Sequence, residues 1–143
     1  MGVGVYKGGA VKYHSVMQNL SKLIPKYEYI NGYFGLPGSS NKIRHIYSDD
    51  PNKTAKDFYN KISYGGVEET LSNGKGKITN MSDGTIITWR EISSSDGSPA
   101  IDINIKYSKN AGGLKQQKIH FLTNNWKEIL LWKILMCSLM MNR

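Results

Sequence analysis

Polar side chains alternate with apolar ones along three segments in the C-terminal half of the sequence. The alternating polar residues are Thr88, Arg90, Asp102, Asn104, Lys118 and His120. Because successive side chains of a strand point to opposite faces of a sheet, these residues share one face if the segments are neighbouring strands. We expect that face to bring an arginine, a lysine and a histidine together.

These three side-chain types suit the cleavage of RNA without a metal ion. A base must take the proton of the ribose 2′-hydroxyl, an acid must protonate the leaving 5′-oxygen, and cations must stabilise the charge on the phosphorane. Histidine titrates near neutral pH, and the arginine fork matches phosphate oxygens. The sequence therefore predicts His120 as a general acid or base, with Arg90 and Lys118 stabilising the phosphate. The other polar residues of the face are predicted to bind substrate: Thr88, Asp102 and Asn104.

His45 is the second candidate for a general acid or base. It follows a basic stretch that includes Arg44, which could grip a phosphate, and glycine-rich turns with aromatic residues precede that stretch. Tyr29, Tyr33 and Phe34 could stack on bases. A solvated loop anchored by its rings is the structural alternative.

The serine run after Arg90 is the last candidate. The hydroxyls and backbone amides of Ser93, Ser94 and Ser95 could line an anion site, but no Gly-x-Ser-x-Gly context marks a nucleophile. All of these patterns have a purely structural alternative, because an antiparallel sheet with one solvated side also shows a polar face.

Composition indicates a basic protein held together by packing. Lys and Arg total 19 against 11 Asp and Glu, which gives a net charge of +8 and favours a polyanionic partner, although a lysine-rich soluble surface has the same composition. The single cysteine, Cys137, excludes an internal disulfide. Three scattered histidines without paired acidic residues argue against a metal site, and we expect no cofactor.

Helical spacing predicts two N-terminal helices. Met17, Leu20 and Ile24 recur at helical intervals in residues 11–24. A second helix should begin at Asp50-Pro51, where an aspartate cap precedes a proline, and should end at Gly65-Gly66. Ala55, Phe58 and Ile62 would form its buried stripe.

Alternation with period two predicts four strands after Val67. They cover residues 77–81, 85–92, 100–107 and 115–122, and Asp83-Gly84 is a hairpin signal between the first two. We therefore expect an α+β fold in which the N-terminal helices pack on a small four-stranded antiparallel sheet, followed by an apolar C-terminal helix.

The two ends of the sequence differ from the body. Residues 1–10 are glycine-rich and are predicted to be a linker, and residues 11–123 form the predicted domain. Residues 124–143 are strongly apolar but too short and too charged near their start to predict a stable membrane span. This tail is of doubtful origin, and a buried or self-associating helix is the default interpretation.

Several segments, taken in order, resemble a known family. They are RHIY at residues 44–47, DP at 50–51, TAKDFY at 54–59, GG at 65–66, NGKG at 73–76, DGT at 83–85, REISSSDGSP at 90–99 and QKIHF at 117–121. Their order resembles the C-terminal toxin modules of bacterial polymorphic toxins, especially those of LXG-type and contact-dependent inhibition proteins. The resemblance covers residues 44–122 and stops before the tail.

The resemblance implies a nuclease of the barnase/EndoU/colicin/RelE group, whose members are metal-independent ribonucleases. It implies a toxin that attacks RNA, with tRNA as one candidate, and an acidic cognate immunity protein that neutralises it. Such a module is secreted or delivered into the cytoplasm of a target bacterium as the C-terminal part of a larger protein. Arg90, the serine run and His120 fall on matching positions.

Two other functions remain open at the level of sequence. In a metal-dependent DNase toxin, Asp102 and His120 would share a metal ion with a substrate phosphate. A nucleic-acid-binding or adhesion module would bind in a salt-sensitive way without turnover.

Overall fold

A mixed β-sheet organises the chain. The computed structural model describes residues 5–6 and 13–141, apart from the side chains of residues 5–6 and 125–130. In chain order the elements are β1 (Val5–Tyr6), α1 (Met17–Leu20), β2 (Tyr29–Ile30), β3 (Tyr33–Phe34), β4 (Leu36–Pro37), β5 (Ile43–Ser48), α2 (Pro51–Ile62), β6 (Val67–Thr70), β7 (Gly76–Asn80), β8 (Ile86–Arg90), β9 (Ala100–Asn104), β10 (Gln117–Thr123) and α3 (Asn124–Met141). Eight strands form one sheet in the order β1-β6-β7-β8-β9-β10-β5-β4, and β2 pairs with β3 separately.

The chain is α+β, but the prediction of helices on a small four-stranded antiparallel sheet is wrong. The four predicted strands correspond to β7, β8, β9 and β10, which pair in antiparallel succession at the centre of the sheet. Strands β1 and β6 extend one edge, while β5 and β4 extend the other. Because β5 runs parallel to β10, the sheet is mixed.

Helix α2 packs on one face of this sheet. It begins where the sequence predicts, because the Asp50 side chain accepts a hydrogen bond of 3.2 Å from the Lys53 amide and Pro51 occupies the first turn. Its stripe of Ala55, Phe58 and Ile62 is fully buried. The stripe meets apolar side chains from the central strands, which are Ile87, Trp89, Ile101, Ile103, Ile119 and Phe121.

The prediction of a helix over residues 11–24 is also wrong. Residues 11 and 12 lie outside the described residues, and the only α-helix of this region is the four-residue α1, followed by turns. Of the predicted stripe, Leu20 is buried but Met17 and Ile24 are exposed, and Val16 and Leu23 take the other inward positions. Val16 donates its backbone N–H to Asp83 Oδ2 at 2.9 Å, a bond that takes the place of a helical one.

Asp83 ties this N-terminal segment to the turn between β7 and β8. Its side chain is 1% exposed, and its second oxygen accepts the Thr85 amide at 2.8 Å. The turn itself follows the Asp-Gly signal, because Gly84 adopts a φ of +96° and a Cβ there would lie 2.2 Å from the Tyr107 carbonyl oxygen. Tyr107 lies beyond the end of β9 at Asn104 and is exposed, although the sequence predicts it in the strand.

The two ends of the chain lie at the periphery. Within the predicted linker, residues 5–6 form β1 on β6, and the rest of it lies outside the described residues. Helix α3 continues directly from β10, and its described side chains from Leu131 to Met141 are exposed, including Cys137. No helix within residues 13–141 is both long and apolar enough to cross a bilayer.

Replacing Asp83 should detach the N-terminal segment. Asp83→Ala leaves the buried amides of Val16 and Thr85 without their acceptor, which should lower the free energy of unfolding by about 2–4 kcal/mol. Urea denaturation followed by tryptophan fluorescence measures the change. Asp57→Ala, on the exposed side of α2, is the matched control and should stay within about 0.5 kcal/mol of the wild type. Equal effects of the two substitutions would contradict this role for Asp83.

Candidate functional site

Two histidines from distant parts of the sequence meet on neighbouring strands. In the parallel pairing of β10 with β5, His120 is directly opposite His45. Their ring centroids are 6.3 Å apart, with the planes at 80°. Opposite residues share a face, so both rings project from the face of the sheet that does not carry α2. The structure thus brings together the two candidate acid–base residues of the sequence.

Residues directly opposite one another across neighbouring strands form a row. The row that contains the two histidines also contains the guanidinium of Arg90. Arg90 is opposite Ala100, and Ala100 is opposite His120. Arg90 and His120 are therefore two strands apart, about 10 Å between backbones. The side chain of Ala100, which is 1% exposed, lies between them.

The next row holds three more polar residues of the predicted face, and Asn104 lies one row further on, opposite Ile86. Thr88 is opposite Asp102, and Asp102 is opposite Lys118. Asp102 also accepts a hydrogen bond of 2.8 Å from Arg90 Nη1. These side chains line an open groove of about 610 Å³ together with Asn104 and Lys42.

His120 is buried, and its Nδ1 atom faces the loop between β8 and β9. The sequence did not predict this contact. The ring is 4% exposed. Nδ1 lies 2.9 Å from Ser98 Oγ and 3.2 Å from Asp96 Oδ1. Phe121 also donates its amide to the Pro99 carbonyl at 2.9 Å, which fixes the end of the loop against β10.

The loop of residues 93–98, named here the serine loop, is built around the Asp96 carboxylate. Asp96 Oδ1 accepts from Ser93 Oγ at 2.6 Å, from Ser98 Oγ at 2.6 Å and from the Ser98 amide at 3.0 Å. Ser93 and Ser98 also bond through their backbones at 2.8 Å. Partial burial raises the pKa of Asp96, but the hydrogen bonds from Ser93 and Ser98 outweigh it and hold that pKa well below its ordinary value.

This geometry gives the serine run a different role from the predicted one. Ser93 is 2% exposed and its hydroxyl binds Asp96. Ser94 and Ser95 are exposed at the tip of the loop. A signal for Asp96 existed in the sequence, since Ser-x-x-Asp-Gly-Ser is a turn in which a carboxylate binds its own backbone. Nothing in that signal points to His120.

His45 occupies an environment that favours its neutral form. Partial burial lowers its pKa below the ordinary value of 6.5, and the nearby charge of His120 lowers it further. Asp96 acts in the opposite direction, and Arg44 adds a smaller decrease. The ring also borders Gly38, where a Cβ would lie 2.9 Å from Nε2, so glycine leaves room beside this nitrogen.

Arg44 lies away from the histidine pair, on the opposite face of β5. It is 7% exposed, and its guanidinium donates to the carbonyls of Phe34 at 2.9 Å and Gly35 at 2.8 Å. The ring of Tyr33 covers it at 4.9 Å. Phe34 is fully buried and Tyr29 packs on it, with 4.6 Å between ring centroids. These residues hold the fold around β5.

The pair proposed for a metal in the DNase alternative, Asp102 and His120, does not share a row, and Asp102 forms an ion pair with Arg90. Among the described residues, no cluster of three or more His, Cys, Asp or Glu side chains is arranged to hold a metal ion.

Comparison of the chain with models of protein families, with curated proteins and with solved structures found no match. The resemblance to toxin modules therefore stays a prediction, and function is argued from the geometry.

The lowered pKa of His45 should make stability depend on pH. As the pH falls through 6.5, the unfolded chain binds a proton at His45 that the folded chain resists, so the free energy of unfolding should decrease on acidification. The His45→Gln variant should lose less stability between pH 7.5 and pH 5, as measured by urea denaturation across that range. Equal slopes for variant and wild type would show that His45 does not carry this dependence.

Proposed function

We propose that this chain is a metal-independent endoribonuclease that cleaves RNA by attack of the ribose 2′-hydroxyl on the neighbouring phosphate. The observation that carries the proposal is the direct pairing of His45 with His120, with Arg90 in the same row. Two imidazoles and a guanidinium are the groups that this reaction needs.

The environments of the two histidines support different roles. His45, whose pKa is lowered, is neutral at pH 7 and suits the base that takes the 2′-hydroxyl proton. The 2′-oxygen then attacks phosphorus and the bond to the 5′-oxygen breaks. His120, with Asp96 beside its Nδ1 to balance a positive ring, suits the acid that protonates the leaving oxygen from Nε2. The products are a 2′,3′-cyclic phosphate and a 5′-hydroxyl.

Arg90 is available to a phosphate although Asp102 binds it. The two side chains are 44% and 38% exposed, and an ion pair so accessible to water contributes only about 0–1 kcal/mol. A phosphate in the groove that Arg90 lines can therefore take over part of the guanidinium. Lys118, opposite Asp102 in the next row, adds a second positive charge at the edge of the groove.

The experiment is an incubation of the purified chain with an RNA oligonucleotide in the presence of EDTA. We expect cleavage, with a 2′,3′-cyclic phosphate on the upstream fragment. His45→Gln and His120→Gln should each lose a factor of about 10²–10⁴ in kcat, the usual contribution of a general acid or base. His14→Gln is the matched control, because His14 lies apart from the pair, beside Asn19 and Tyr64, and this variant should keep its activity.

The same assay separates the alternatives. Activity that prefers plasmid DNA and disappears with EDTA would replace this proposal with the metal-dependent nuclease. Salt-sensitive binding of RNA without turnover would replace it with the binding module. Full activity of both His45→Gln and His120→Gln would remove the histidine pair from the mechanism.

The biological setting is proposed on the resemblance alone. In this proposal the nuclease is a toxin, tRNA is one candidate substrate, and an acidic immunity protein covers the polar face of the sheet. The net charge of +8 and the exposed Arg90 support an acidic partner through charge complementarity.

A further inference from the structure

The serine loop determines which nitrogen of His120 carries a proton. Ser98 Oγ has a single hydrogen to donate, and two acceptors are near it: Asp96 Oδ1 at 2.6 Å and His120 Nδ1 at 2.9 Å. An ionised carboxylate only accepts hydrogen bonds, so the shorter contact requires that Ser98 donates to Asp96.

The direction of the Ser98 hydrogen then determines the tautomer of the His120 ring. With its hydrogen directed to Asp96, Ser98 Oγ presents a lone pair to Nδ1, and Nδ1 must carry a hydrogen to bond with it. Asp96 Oδ1, 3.2 Å from Nδ1, is a second acceptor for the same hydrogen. The opposite tautomer would direct the lone pair of Nδ1 at a carboxylate oxygen, and Ser98 could donate to that lone pair only by giving up its bond to Asp96.

Because the ring is buried, water cannot readily replace these hydrogen bonds. The His120 ring is 4% exposed, and the Ser93 hydroxyl and the Ser98 amide hold Asp96 in place. The other ionisable side chain beside the ring is His45, on β5, and Arg90 follows beyond Ala100. Within hydrogen-bond distance of Nδ1, the described residues place Ser98 Oγ and Asp96 Oδ1, so the acceptors for Nδ1–H come from the serine loop.

We propose that Asp96 is a positioning residue that, directly and through Ser98, holds neutral His120 as the Nδ1–H tautomer and leaves Nε2 free to bind the proton that it later gives to the leaving oxygen. The catalytic meaning of this assignment rests on the proposed ribonuclease function. The tautomer itself is a property of the chain without substrate, so it can be measured whether or not RNA is cleaved.

The first test is nitrogen NMR of the whole chain with ¹⁵N-labelled histidine, at a pH where the rings are neutral. In the wild type, Nδ1–H should exceed Nε2–H at His120 by about tenfold or more, which one hydrogen bond to a charged group can supply. Asp96→Asn should reduce that excess to about threefold or less, because the new amide can donate as well as accept.

Two further variants keep the test decisive. Ser98→Ala should retain the Nδ1–H tautomer, because Asp96 Oδ1 can accept directly, and this measurement stands even if Asp96→Asn does not fold. Glu91→Gln removes a nearby exposed charge that is outside the serine loop and should leave the tautomer unchanged. The proposal fails if the wild type shows Nε2–H at His120, or if Ser98→Ala shifts the tautomer while Asp96→Asn leaves it in place.

The second test is kinetic and separates positioning from binding. If RNA is cleaved, Asp96→Asn should lower kcat about 10- to 100-fold and change KM less than about twofold, because Asp96 orients the acid without touching substrate. A rise in KM at constant kcat would instead make Asp96 a substrate-binding residue. An active wild type with unchanged kcat in Asp96→Asn would overturn the positioning role even if the tautomer shifts.

Discussion

The parallel pairing of β5 with β10 is the constraint on which the rest of the site depends. A shift of this pairing by one residue would turn His45 toward α2 and Arg44 toward solvent, since the side chains of a strand alternate between faces. Arg44 opposes that shift. Its buried guanidinium finds acceptors at the carbonyls of Phe34 and Gly35, and a displaced β5 would separate those partners. A buried charged residue on the opposite face of β5 thus secures the alignment of the two rings.

The elements that sequence predicted are those whose signals are local. Alternation of Ile101 and Ile103 with Asp102 and Asn104 identified β9, and Asp50 followed by a proline identified the start of α2. Strand β5 gave no such signal, because its inward face carries Arg44 where an apolar residue would mark a strand. The parallel pairing is set by contacts between remote segments, and no pattern within either segment encodes it. For the same reason the fold prediction stopped at four antiparallel strands.

The candidate site likewise has a part that local patterns predict and a part that depends on contacts between remote segments. Period-two alternation placed Arg90, Lys118 and His120 on one face, because that inference needs only the geometry of a strand. The contact of His120 with Asp96 depends on how the serine loop closes, and composition suggested an anion site there instead. The environment of Asp96 is formed by hydroxyls that bind a carboxylate of their own chain. A run of serines in sequence does not distinguish an internal anion from an external one.

The distance in sequence between β5 and β10 also has a consequence for synthesis. Residues 43–48 leave the ribosome well before residues 117–123, and everything from α2 to β9 lies between them. Long-range pairing of this kind forms late in folding, because loop closure must precede the contacts that stabilise it. A nascent chain therefore holds His45 without its partner throughout the synthesis of residues 46–119. The two rings can face each other only after β10 has emerged and docked beside β5.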